Sequence, residues 1–314
     1  MKDISQNDIR IAELVTRAVR ESVPIVALES TVITHGLPHP FNLETALACE
    51  EAIRQQGSMP ATLGIIDGIP TAGLSEDEIR QFATGKNPDG SLIEKVGLNN
   101  LAGVMVKRGW GATTVASSLI LARLAGVRVF STGGIGGVHR GAAETLDISA
   151  DLTALANTPV VCVCAGAKAI LDLPKTLEHL ETLGIPVVGY RTEDFPAFYS
   201  RTSGLPIDVR VETPDEAADV AVCHWRMGSA SAVLVCAPVP VEFEIPVTTI
   251  ERACAEAIAM ANRQSIRGKA LTPFLLSQME GLTGGGLLQA NRALLVNNAS
   301  VAAKIAMSLS KRIG

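Results

Sequence analysis

Apolar runs of five to eight residues alternate along this chain with longer stretches in which apolar positions recur every three or four residues. That rhythm predicts strands alternating with helices, an α/β fold around a mixed, largely parallel sheet. Strands are expected at 24–28, 62–66, 127–131, 160–164, 186–189, 208–211 and 232–236. Helices are expected at 8–21, 43–56, 75–84, 113–124, 167–183, 213–227, 248–262, 273–283 and 287–308. Local signals support several helix starts. Thr213-Pro214-Asp215-Glu216 combines a capping hydroxyl, a proline at the first helical position and acids in the first turn. Ser75-Glu76-Asp77-Glu78 spells a reciprocal capping box, and GKNPDG at 85–90 reads as an exposed polar turn. No repeat or long linker interrupts the series, so one α/β domain over 1–314 is expected, with a helix near 5–21 at its edge.

Composition narrows the function classes. At 314 residues and 47% hydrophobic, the chain can bury a large core. A mean hydropathy of +0.28 suggests that copies of the chain cover part of its apolar surface. The formal net charge is −5, so the basic face that a nucleic-acid polymer requires is not expected. A small anion can still be held by a few local cations and backbone N–H groups. The longest apolar runs, 159–166 and 230–241, are too short to span a bilayer and are broken by Gly or Pro. The first fifteen residues lack a basic start followed by an apolar stretch. No membrane partner and a cytoplasmic location are therefore expected. The six cysteines lack zinc spacing and read as reduced core thiols, with Cys162 and Cys164 on one face of a strand.

Open α/β sheets bind ligands beyond the carboxyl ends of their strands, and four such handovers carry polar residues. In the first, Ala27-Leu28-Glu29-Ser30-Thr31, an apolar strand ends in a carboxylate; apolar walls would raise the pKa of Glu29 and suit it to proton donation. In Val163-Cys164-Ala165-Gly166-Ala167-Lys168, a lysine is expected at a helix start, where the local field favours the neutral, nucleophilic amine. The glycines of STGGIGGVHRG, 131–141, would let backbone approach a ligand, though their spacing is not a dinucleotide fingerprint. Asp147 and Asp151 follow, four apart, and share a face if they occupy one helical turn, which suits a hard divalent cation. Lys107-Arg108-Gly109-Trp110 and the following GATTVAS lead into an apolar helix, the makings of a phosphate site with Thr114 assisting. Each segment also has a plainer reading, as a solvated acid, a surface lysine, capping aspartates or a capped helix.

Taken in order, VALESTVITHG, GATTVASSLILA, STGGIGGVHRGA, LDISADL, VCAGAKAILDL, GKALTPFLL and the final VNNA resemble the pseudouridine-5'-phosphate glycosidase family, also called the indigoidine synthase A-like family. The resemblance runs from about Pro24 to the C-terminus. It implies a three-layer α/β/α fold, a homotrimer, and a phosphorylated C-nucleoside as the small-molecule substrate. Lys168 would be the nucleophile and Glu29 the proton donor. Lys95, Thr114, Val115, Ser149, Ala150, Asp151, Asn291 and His139 would contact the substrate, with Asn297 and Asn298 close to Asn291 in sequence. Asp147 would hold one Mn²⁺ per subunit whose other ligands are mostly water. The stretch before Lys95, 85–93, is longer and more polar than the family pattern. Two other functions use similar parts: a phosphosugar lyase of Schiff-base aldolase type, and a non-catalytic nucleotide-binding protein. His35 is a further candidate polar contact, whereas His39, His179, His224, Tyr190 and Trp225 read as structural or exposed.

Overall fold

Ile25–Leu28, Val161–Cys164 and Val233–Cys236 are apolar and buried at every position, the pattern of strands covered on both faces. The computed structural model describes residues 9–266 and 271–313, and its strands join in one sheet. They are β1 (Arg10–Ile11), β2 (Ile25–Leu28), β3 (Met59–Ile66), β4 (Ile69–Ala72), β5 (Glu94–Val96), β6 (Gly111–Thr113), β7 (Val129–Ser131), β8 (Val161–Cys164), β9 (Val187–Tyr190), β10 (Val209–Val211) and β11 (Val233–Cys236). Those in the order β3-β2-β7-β8-β11-β9-β10 run parallel. β3 belongs to two sets of partners. Its first half pairs with β2, while its second half pairs antiparallel with β4 and β6; β5 then adds parallel to β6. The sheet is thus mixed and largely parallel, and helices cover both faces in three layers.

The helices are α1 (Glu13–Arg20), α2 (Phe41–Gln55), α3 (Glu76–Ala83), α4 (Leu101–Val106), α5 (Val115–Leu124), α6 (Ala142–Thr145), α7 (Ala150–Ala156), α8 (Leu173–Thr182), α9 (Pro214–Arg226), α10 (Val247–Arg263), α11 (Leu271–Leu282) and α12 (Gly286–Ile313). α12 lies across β2, β7 and β8, flanked by α2 and α9, while α5 packs against β2, β3 and α7. α12 is long and apolar enough to cross a membrane, yet 61% of its apolar window is buried inside the fold. That window includes the fully buried Leu294, Ala299, Ala302 and Ile305, so its apolar surface serves the core. Ser75 and Thr213 cap α3 and α9 as their sequences require.

Several expectations need correction. The helix expected over 167–183 begins only at Leu173, where Asp172 caps it and Pro174 sits in its first turn. The helix expected over 8–21 spans Glu13–Arg20, because residues 10–11 pair with β4 instead; residues 1–8 lie outside the described residues, as do 267–270, which hold the GKA of GKALTPFLL. The short strands β1, β4, β5 and β6 were not signalled. Glu94-Lys95-Val96 and Gly111-Ala112-Thr113 are too short and mixed to show a period, and only pairing with their neighbours makes them strands.

Candidate active site

β2, β7 and β8 are adjacent and parallel, so their carboxyl ends open on the same edge of the sheet. The residues that follow them carry the candidate chemistry. Glu29 follows β2 and is 8% exposed. Thr132 follows β7, and its hydroxyl donates to Glu29 Oε1. Beyond β8, the backbone does not turn into a helix. Ala165 N donates to Gly133 O at 2.8 Å, Ile135 N to Gly166 O at 3.1 Å and Lys168 N to Ile135 O at 3.0 Å. These bonds prolong the β7–β8 ladder and deliver Lys168 on an extended strand end. The helix start expected at Lys168 is therefore absent, since α8 begins five residues later.

Glu29, Lys168, Lys95, His35 and Asn291 meet in one cavity, walled by Thr132, Gly133, Gly134, Phe198, Tyr199, Leu276 and Leu295. Burial raises the pKa of Glu29, and the charge of Asp151 adds to it; Lys168, the Thr132 hydrogen bond and Lys95 act in the opposite sense without cancelling it. The acid is thus biased toward its protonated form beside a lysine. Burial lowers the pKa of His35 at the cavity rim, and Lys95 lowers it further, against a bond to Ile93 that raises it. Lys95 reaches the site because β5 pairs with β6, Lys95 opposite Ala112. Lys107 and Arg108 do not join it. They are exposed at the end of α4, and β6 separates them from the start of α5, so the phosphate site expected from that run is not assembled there.

The remaining candidates stand behind the cavity wall. Thr114 is the N-cap of α5, its hydroxyl 3.5 Å from Ser117 Oγ, and Val115 is buried beside it. Asp151 is buried, and both its oxygens are committed: Oδ1 accepts from Ala116 N at 2.9 Å and Oδ2 from Gly136 N at 2.8 Å. It braces the start of α5 to the glycine loop. Ser149 caps α7 and accepts from Asp151 N, while Ala150 is exposed. Asp147 lies before α7, its carbonyl accepting from His139 N at 3.0 Å, so the helical turn expected to align Asp147 with Asp151 does not form. Burial lowers the pKa of His139; Asp147 opposes this, and Lys168 and Lys95 reinforce it. His139 therefore lies within electrostatic reach of both Asp147 and Lys168. Among the described residues, no three His, Cys, Asp or Glu side chains form a metal cluster.

The glycine loop serves the protein's own packing. A Cβ at Gly134 would lie 2.6 Å from the Phe198 ring, and one at Gly136 would run into Ser149 and Asp151. The three C-terminal asparagines also separate. Asn291 lines the cavity, Asn297 donates to Pro238 O at 3.4 Å, and Asn298 donates to Thr132 O at 2.9 Å and to Gly133 O at 3.3 Å. Asn298 thus fixes the loop that carries the partner of Glu29. Thr132, Asn298 and Phe198 were not singled out by sequence reasoning for these places. A hydroxyl directly after an apolar strand was a usable signal for Thr132, but nothing local marked the other two. The cysteines of β8 and β11 are free and buried, as expected, whereas Cys223 is exposed.

Residues 14–308 match the family described as indigoidine synthase A like protein. A pseudouridine-5'-phosphate glycosidase of Caldanaerobacter subterraneus subsp. tengcongensis is 54% identical over 96% of this chain and 97% of its own. The protein of the same name from Escherichia coli is 46% identical over 99% and 98%. Among solved structures, the prealnumycin C-glycosynthase AlnA in complex with ribulose 5-phosphate is similar, with a TM-score of 0.88 and 38% identity over 96% of this chain and 97% of that one. An indigoidine synthase A-like protein from Thermotoga maritima has a TM-score of 0.86 and 35% identity, covering 99% of each chain. The chain belongs to the indigoidine synthase A-like family.

Proposed function

We propose that this chain is a pseudouridine-5'-phosphate glycosidase, reversibly converting pseudouridine 5'-phosphate to uracil and ribose 5-phosphate. The observation that carries the reading is the meeting of Lys168 with a buried Glu29 of raised pKa in one cavity. A glycosidase acting on an oxygen-linked sugar uses two carboxylates. A base attached through carbon instead needs an electron-pair donor at C1' and a proton at C5. The ribose ring opens as the C1'–O4' bond breaks, the uracil N1 lone pair forming a C1'=C5 double bond and a proton reaching O4'. The amine of Lys168 then adds to C1', returning the electrons to the pyrimidine and giving up its own proton. Glu29 then protonates C5 of the uracil, the C1'–C5 bond breaks, and the nitrogen lone pair forms the C1'=N bond of an imine. Water hydrolyses the imine, releasing ribose 5-phosphate and restoring the amine. Lys95 supplies a second cation for the phosphorylated substrate, and Asn291 a neutral polar contact.

Asp147 fits a divalent ion that keeps most of its waters. Its carboxylate stands at a half-buried loop position beside His139, whereas the oxygens of Asp151 are taken by backbone N–H groups. A Mn²⁺ held there would supply positive charge and ordered water near the base or sugar oxygens. We infer that the chain works in the cytoplasm as a homotrimer, a reading supported by its resemblance and by exposed apolar side chains such as Leu146, Val241 and Phe243. Incubation with pseudouridine 5'-phosphate and Mn²⁺ should release uracil, detected by mass; intact substrate after prolonged incubation would defeat the proposal.

A further inference from the structure

Phe198 lines the cavity, yet its backbone is left-handed, φ +62°, a conformation that is a true outlier for a bulky side chain. Such a residue persists only where its surroundings over-determine it, and these places cluster at ligand clamps. The surroundings here are specific. Phe198 N donates to Ala165 O at 3.1 Å, and Ala197 bridges to Gly166, so the segment is sewn to the turn that ends in Lys168. Tyr199 meets the Phe198 ring edge-on, centroids 4.6 Å apart at 89°, and fixes its plane. The ring rests on Gly134, where an added Cβ would be 2.6 Å from two ring carbons and 3.0 Å from Gly166 O. It therefore sits between the loop whose Thr132 holds Glu29 and the turn that carries Lys168.

On the function proposed above, the scissile bond lies between the reach of Lys168 and the reach of Glu29. The Phe198 ring is next to both supports. Of the two halves of the substrate, the phosphorylated sugar is polar and gains little from an aromatic face, whereas the pyrimidine is flat and can stack. We infer that Phe198 determines specificity for the departing base, its ring being the wall on which the pyrimidine stacks while Lys168 holds the sugar. The neighbouring Tyr199 steadies that wall. Loss of the ring should weaken the base by roughly 10- to 100-fold, the usual scale for removing one aromatic platform.

The synthesis direction separates the two halves of the site. In Phe198→Leu, KM for uracil should rise roughly 10- to 100-fold, while borohydride trapping of ribose 5-phosphate on Lys168 stays at the unaltered level. Phe198→Tyr keeps the ring and should restore KM for uracil to within about threefold of the parent. An unchanged KM for uracil in Phe198→Leu overturns the assignment. So does joint loss of trapping and uracil saturation, which marks a purely structural role. If the unaltered chain turns over no uracil at all, the proposed reaction falls as well; turnover there with an unshifted Phe198→Leu removes only the base wall.

Discussion

The two ends of the parallel sheet each carry a depression, and the larger one holds less chemistry. Where β2 and β7 begin, a groove of about 650 Å³ is lined by residues including Val19, Pro24, Arg128, Trp225, Arg226 and Arg312. Two of its cations are engaged: Arg312 donates to Asp219 and Asp215, and Arg128 donates to Pro159 O and lies 5.8 Å from the Trp225 ring centroid. Among the described residues, no carboxylate, lysine or histidine side chain lines it. Where β2, β7 and β8 end, the cavity is much smaller, but it gathers Glu29, Lys168, Lys95 and His35. Volume therefore does not locate the reaction. What does is the convergence of groups whose charge the fold perturbs, a signature of functional sites in general.

The sharpest test of this contrast substitutes one cation at each end. Lys168→Ala removes the amine that adds to C1' and should lower kcat about 10⁴-fold or more, read as uracil release by mass. Arg312→Ala, at the other end, should stay within about twofold of the parent, because its side chain pairs with Asp215 and Asp219 and donates to Ser308 O, none of which lines the cavity at the carboxyl ends. Comparable losses in both variants would erase the distinction between the two ends.

Glu29→Gln is the next test, because it keeps the shape and removes the proton. A loss of about 10²- to 10³-fold in kcat is expected. Stability should move differently. Burial raises the pKa of Glu29 in the folded protein, so the folded state holds its proton at pH values where the unfolded chain has released it. The unaltered protein therefore loses stability as pH rises from the ordinary glutamate range through the raised value. Glu29→Gln has no such group, and its melting temperature should gain on the parent's over that window. A parallel decline in both proteins would mean that Glu29 carries no raised pKa.

Much of this site is readable in the sequence because its chemistry terminates strands. Apolar 24–28 and 160–164 are each followed by small or polar residues, and that change alone points to Glu29 and to the turn before Lys168. The support beneath them is not readable. Ala165-Gly166-Ala167 looks like a helix entry, but bonds to Gly133 and Ile135, some thirty residues earlier, hold it out of a helix. A nearer signal for the true start was present in Asp172 and Pro174, the cap and first-turn proline of α8. Asn298 reaches Thr132 O across 166 residues, and Asp151 joins α5 to Gly136. Such contacts follow from how layers stack, which no local period encodes. Lys95 lies between these cases: resemblance singled it out, but only the β5–β6 pairing explains how it reaches the cavity.

The smallest expected effect is also the most diagnostic of how Glu29 is tuned. Thr132 donates a hydrogen bond to Glu29 and stabilises the ionised form, so it acts against the burial that raises the pKa. Thr132→Val preserves the shape and removes the donor, leaving burial less opposed. The pKa of Glu29 should rise further, and the protonated acid should persist to higher pH. The fall of kcat on the alkaline side should therefore move upward in pH, while kcat at the optimum changes only a few-fold, roughly the scale of one hydrogen bond. Thr132→Ser keeps the donor and should return the limb to its original position. A limb that moves down in Thr132→Val, or one that moves equally in both variants, would show that the hydroxyl does not bias the acid. In that case the groove at the amino ends and the cavity at the carboxyl ends would differ in which charges they contain, but not in how finely those charges are set.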